Sequence, residues 1–493
     1  MQTKSKFKSK PAEGAYLTIY LSLTFGIVLS LLLALIEGAT IGAVRAQAEL
    51  VADLGMDSIF AEYHRELLNQ YELFFIDSSY GGSNGGIGKT ETHLKKYMDY
   101  NMNPETDLSV LGADTLLKLS NPYLELEEVS FASDNNGAVW KSQAVQYMKA
   151  VYGGDLISTV QGHLSTVNGN ELATRDIAGE LAEQKSAFEE TLAEKGIVEY
   201  SSESDEGYSY KKVTDISDSL IGDGVLALAM PKGSSISGTT INKTEYISHR
   251  IKTNQANKGV GLHSGAPVAN GLEDELIYGE YLMKMCGSYT NKKVEGFLAY
   301  QLEYILYGKD SDVSNLRTCV ERLLALRAVS NFIYLNSDSG KSAEVRVIAA
   351  IICTLLLAPE LTEILTYIIL AVWALAEAVV DVRTLLDNGK VPLLKNSSDW
   401  CLGLTNLFDK ELSGSKDNAN GLSYQDYLRI FLGLMDKKDK VLRSLDIVEM
   451  DMRKTQGNEN FRIDQCIDYI KADFGFMDAQ GHEFVFQKKM CYE

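Results

Sequence analysis

The stretch GAYLTIYLSLTFGIVLSLLLALI, residues 14 to 36, contains no charged side chain. As a helix it would rise about 35 Å, enough to cross a hydrocarbon core about 30 Å thick. Tyr16, Leu21, Phe25, Leu29, Leu33 and Ile36 are the candidate lipid-facing anchors along it. Ahead of it lie Lys4, Lys6, Lys8 and Lys10. Behind it, up to residue 76, Glu37, Glu49, Asp53, Asp57, Glu62, Glu66 and Glu72 face only Arg45 and Arg65. Basic flanks stay cytoplasmic. The expectation is a basic cytoplasmic tail (1–13), a single membrane-spanning helix (14–36) and the bulk of the chain outside the cytoplasmic membrane. A secretory signal usually carries a shorter apolar core of about 7–15 residues, so a retained anchor is expected.

Beyond the bilayer, Ala43, Leu50, Leu54, Ala61 and Leu68 recur at spacings of seven and four, and no Pro falls between Pro11 and Pro104. That pattern predicts that the helix runs on as a projecting stalk over 37–80, with this stripe as its apolar face. Glu49, Asp53 and Asp57 sit at successive i,i+4 positions, where like charges repel by a few tenths of a kcal/mol. They read as a solvated face.

The composition fits a large folded region. Of 493 residues, 45% are hydrophobic and only 7 are Pro, which excludes Pro-rich and disordered classes. A net charge of -20 disfavours nucleic acid as a partner. The six cysteines form no CxxC pair, so no zinc ribbon or thioredoxin-type centre is indicated.

A glycine-rich break at 81–88 opens a mixed region, 81–272. Tyr123 to Phe131 alternates as a half-buried strand, and Asp134-Asn135-Asn136-Gly137 marks a turn. Residues 138–195 are helical, with Ile177, Leu181, Phe188 and Leu192 on one stripe, and read as a helical hairpin. Residues 196–270 read as short strands and long loops, with Val225-Leu226-Ala227-Leu228 as one such strand. A helix-rich region follows over 273–493. Within it the apolar runs 347–358 and 364–376 are separated by Pro359, Glu360 and Glu363, and neither reaches the length of a membrane span. A buried apolar hairpin over 345–386 is expected. Ser423 and Asp426 have the spacing of a helix start. The fold class is therefore α+β: one membrane helix, a stalk, then a helix-rich region with short strands.

Four local patterns invite chemistry. Gly88-Lys89-Thr90 ends like a phosphate-binding loop, but Ser83 stands where the first Gly is required, and no nucleotide is expected. Gly81-Gly82-Ser83-Asn84-Gly85 has the spacing of a nucleophile elbow, which makes a membrane-tethered serine hydrolase the first alternative function. Asp310, Asp312, Ser314 and Glu321 match oxygen positions of a calcium loop, the basis of a second alternative, a calcium-dependent surface adhesin. Asn315 replaces the turn Gly, so a helix cap by Asp312 or Ser314 is the simpler reading. Cys353 lies in an apolar run and reads as a buried, inert thiol. No cofactor and no catalytic residue is assigned.

Glu13-Gly14-Ala15-Tyr16-Leu17-Thr18, then Glu37-Gly38-Ala39, Arg45-Ala46-Gln47 and Ala52-Asp53, resemble the N-terminus of TadE/TadG-like pseudopilins of the tight-adherence (Flp) pilus system. Gln143-Ala144-Val145-Gln146-Tyr147-Met148, Glu303 to Lys309 and Trp373 to Glu377 resemble an uncharacterised domain family of Gram-positive, Clostridia-like bacteria. The resemblance implies a pseudopilin-like accessory protein acting by protein–protein contact, with pilins or pilus-assembly proteins as partners beside the lipid bilayer. Glu37, Arg45, Gln47 and Asp53 are then the candidate assembly contacts. Such prepilins carry Glu-Tyr at the fifth and sixth positions after the processing Gly, where this chain has Ile19 and Tyr20. A retained, non-polymerising subunit is the expectation.

Overall fold

The structure, a computed structural model, describes residues 13–83, 85–102, 118–151, 155–198, 202–221, 225–250, 259–264, 266–408 and 417–492. Its first element, α1, is a continuous helix of 48 residues, Glu13–Phe60. Residues 16–39 are exposed apart from a half-buried Thr24. This apolar half is long enough to serve as a single-pass anchor. At Val44 the environment changes. Val44, Ala48, Val51, Ala52, Met56 and Ile59 are buried and form a ridge against a small sheet.

This ridge corrects the expected apolar face. Leu50 is 57% exposed and Leu54 39% exposed, because the side chains that pack are those between the heptad positions. It also corrects the projecting stalk: residues 44–60 lie on the folded head, and the chain turns after Phe60 into a separate short helix, α2 (Arg65–Tyr71).

The sheet is antiparallel and centred on β3 (Cys466–Asp478). One edge of β3 pairs with β2 (Leu119–Phe131) and the other with β1 (Ile76–Asp77) and then β4 (Glu483–Cys491). Phe474 lies opposite Leu124 and Phe486, Ala472 opposite Leu126 and Lys488, and Ile470 opposite Val129 and Met490. Alternation at period two puts these side chains on the face that receives α1 and α3 (Ile87–Met102). The β3–β4 turn is held by Asp478, whose carboxylate accepts the Gln480 and His482 N–H groups.

The larger core is helical. Its first helices are α4 (Asp134–Val151), α5 (Asp155–Gly169), α6 (Ile177–Glu194), α7 (Tyr210–Ile221) and α8 (Val225–Ala229). The expected hairpin over 138–195 is corrected to three helices with different partners: α4 packs on α9 and α16, α5 on α15 and α9, and α6 on α13 and α11. Val225–Ala229 is a helical turn, not a strand, and a run of that length does not distinguish the two by periodicity.

The chain continues through α9 (Leu272–Met285), α10 (Gln301–Tyr307), α11 (Asp312–Ser337), α12 (Ser339–Leu355), α13 (Thr362–Leu386), α14 (Leu404–Phe408), α15 (Tyr424–Leu434) and α16 (Lys437–Lys454). Pro359 opens the short turn between α12 and α13, and the two helices pack on each other. α13 is apolar and buried almost throughout, and touches α6, α7, α8, α11 and α12. Ser423 and Asp426 form a reciprocal capping box at α15.

Candidate functional site

The junction of stem and head is built by α1 and the last strand. Lys488 of β4 reaches Glu49 at 3.1 Å and Asp53 at 2.8 Å. The acidic stripe, expected to be solvated, thus spends two of its carboxylates on the head. Gln47 donates from Nε2 to the Met102 carbonyl of α3 at 3.1 Å. Tyr492, just beyond β4, donates to the Phe60 carbonyl at 2.6 Å, closing the end of α1. Of the four candidate assembly contacts, Gln47 and Asp53 are therefore engaged within the chain, whereas Glu37 and Arg45 are exposed. The six anchor residues Tyr16, Leu21, Phe25, Leu29, Leu33 and Ile36 are all exposed along the free half of α1.

The calcium-loop residues are used otherwise. Asp312 is fully buried; its carboxylate accepts the Ala299 N–H at 3.1 Å, the Tyr300 N–H at 3.3 Å and the Ser237 hydroxyl at 2.6 Å. Asp310 pairs with Lys243 at 2.8 Å, and Glu321 is exposed. The cap of α11 is Ser311, which accepts the Ser314 N–H, in place of the expected Asp312 or Ser314. Among the described residues no cluster of His, Cys, Asp or Glu could hold a metal ion.

The glycine-rich turn leads into α3. Lys89 donates to the Ser79 carbonyl at 3.0 Å and Thr90 is buried, so neither faces a phosphate cradle. Ser83 makes no hydrogen bond to a histidine among the described residues. It lies on the rim of a polar basin of about 510 Å³, shared with Thr244, Glu245, Arg250, Arg453, Glu459, Asn460 and Arg462.

Beside this basin runs a buried polar seam that sequence reading missed. Three acids of α16 project into the helical core. Asp446 accepts the Ser248 N–H and hydroxyl and the Tyr304 hydroxyl, and burial pushes its carboxyl up to about 6. Glu449 is forked by Arg250 at 2.5 and 2.6 Å and accepts the Ile463 N–H. Asp451 accepts from Tyr71, Gln301 and the Phe297 N–H. The available signal was the run Leu445 to Met452, in which acids alternate with large apolar residues, so a helix turned toward the core must bury some of them. Two further buried carboxyls stand apart from this seam. Burial pushes Glu303 up to about 7 and Asp468 up to about 7. Asp468 lines a second cavity of about 250 Å³ with Gln143, His263 and Cys491.

Residues 203–478, more than half of the chain, match a family of unknown function, DUF5702, and the chain belongs to that family. The match runs from the helical core through β3 and includes neither α1 nor β4. No curated protein and no solved structure matches the chain.

Proposed function

We propose that this DUF5702 protein is a single-pass envelope protein, N-terminus inside, whose head acts by contact as a pseudopilin-like accessory subunit of a tight-adherence pilus or related secretion assembly. The observation that carries the reading is the continuity of α1: the same helix is exposed and uncharged over 16–36, apart from a half-buried Thr24, and buries one face in the head over 44–60. No loop separates anchor from head, so a force on either is passed to the other by an unbroken hydrogen-bonded rod. The lysine-rich tail favours a cytoplasmic N-terminus. The pilus association rests on the likeness of residues 13–53 to pseudopilin N-termini.

Two measurements test it. After carbonate extraction the full-length protein is expected in the membrane pellet, with a C-terminal tag accessible to protease on intact cells; a soluble protein or a protected tag removes the anchor and its orientation. Crosslinking in membranes followed by mass spectrometry is expected to recover pilin, assembly ATPase or platform components. Recovery of the anchored protein without any of them removes the pilus role and leaves the anchor standing.

A further inference from the structure

The polar basin beside Ser83 has an unusual wall. Three of the thirteen arginines in this chain of net charge -20 meet on it, and among its described residues there is no aliphatic or aromatic side chain. Its volume of about 510 Å³ falls within the range of about 300–1,000 Å³ typical of small-molecule sites.

Two of the arginines are fixed in advance. Arg250, whose side chain is 8% exposed, forks onto Glu449 and pairs with Asp464 at 2.5 Å, and its buried Nε has no acceptor among the described residues. Arg453 donates from Nε to the Phe461 carbonyl at 2.9 Å and lies 5.0 Å from the centre of the Tyr246 ring. Arg462 is half-buried and has no ion-pair partner among the described residues. On the same wall, Glu245 uses one oxygen on Asn242 at 2.8 Å and Glu459 uses one on the Gly457 N–H at 3.0 Å. The second Glu245 oxygen has no donor among the described residues, and Glu459 also accepts its own backbone N–H. The Ser83 hydroxyl and the Asn460 amide are likewise without hydrogen-bond partners among the described residues.

A bare anion would meet the arginines but be repelled by both glutamates, and an apolar ligand would leave Arg462, Ser83 and Asn460 unpaired. A ligand that offers both an acid group and hydroxyl donors satisfies both sets. The geometry points to a binding site for an acidic sugar, a uronic acid or sugar-phosphate unit, with its acid group on Arg453 and Arg462 and its ring hydroxyls donating to Glu245 and Glu459. Arg–carboxylate and Arg–phosphate pairs supply the charge-assisted contact.

Calorimetric titration of the full chain in detergent with D-glucuronate, D-glucose 6-phosphate, D-glucose and sodium sulfate tests this. One or both acidic sugars are expected to bind saturably, at least tenfold tighter than glucose or sulfate, and the two acids separate a carboxylate from a phosphate preference. Arg462→Gln should weaken that binding at least tenfold with an unchanged melting temperature. Glu245→Gln separates a sugar from a plain anion: it should weaken the sugar while strengthening sulfate. No saturable binding by either acidic sugar, sulfate binding as tightly as they do, or affinity indifferent to Arg462→Gln would each overturn the assignment.

Discussion

Gly137 is the clearest case of one residue fixing local structure. With Asn135 and Asn136 it forms three successive left-handed residues at the mouth of α4, with φ of 49°, 60° and 83°. A Cβ on Gly137 would meet Val441 Cγ1 at 2.5 Å. Gly137→Ala is therefore expected to destabilise the fold by about 2–4 kcal/mol in urea titrations, combining the left-handed penalty with overpacking. A loss within 0.5 kcal/mol would mean that α4 shifts freely. Asp468 gives a prediction of opposite kind. Its carboxyl is pushed up to about 7 by burial, against about 3.9 in an unfolded chain. Below about pH 4 both states are protonated; between 4 and 7 only the unfolded chain releases the proton, so this group's stability contribution falls as pH rises. Asp468→Asn, which keeps an acceptor for Gln143, should gain on the parent by up to a few kcal/mol between pH 4 and 7.5. A difference independent of pH would refute this. The turn at Gly137 was legible from Asp-Asn-Asn-Gly alone. The raised carboxyl was not, since burial depends on β3 lying beneath α4.

Among the elements, α13 shows what a buried helix requires of its polar residues. Glu377 accepts Lys395 at 2.5 Å and the N–H groups of Cys401 and Leu402, while Asp381 joins Lys395 to Arg327. Removing one member strands a buried charge, so Glu377→Ala is expected to cost about 3–5 kcal/mol by urea denaturation. A cost under 1 kcal/mol would show that Lys395 escapes to water. Legibility differed sharply between elements. The capping box at Ser423 and the alternation from Tyr123 were readable because their partners lie within a few residues. The face of α1 was misread: the heptad positions Leu50 and Leu54 stand exposed, and the buried ridge mixes Ala48 and Ala52 with Val44, Val51, Met56 and Ile59, a face that the helix's apolar residues alone do not single out. The β3–β4 hairpin went unread inside a helix-rich region, although Ile470, Ala472, Phe474 and Phe476 alternate and Gly481 supplies the turn at φ 90°.

For the whole molecule, the α+β class and the apolar N-terminal helix could be taken from composition and run length, whereas the seating of α1 on the sheet could not, because its partner strands lie some four hundred residues away in sequence. The consequence for truncation is specific. A chain beginning at Gly42 keeps the whole packing ridge and should be soluble, monomeric by size-exclusion and close to the parent in melting temperature. One beginning at Glu62 loses Val51, Met56 and Ile59, each worth about 1.5–3 kcal/mol of burial, and should aggregate through the uncovered sheet. If both behave alike, the ridge contributes little to the head.

That seating also dictates an order of events during synthesis. α1 is translated before β3 and β4, the strands it lies on, which follow it by roughly 20 to 80 s at ordinary elongation rates. For that interval the ridge of α1 has only α3 to lie against. A chain that stalls before Cys466 leaves that ridge without its strands, an apolar surface open to chaperones and proteases.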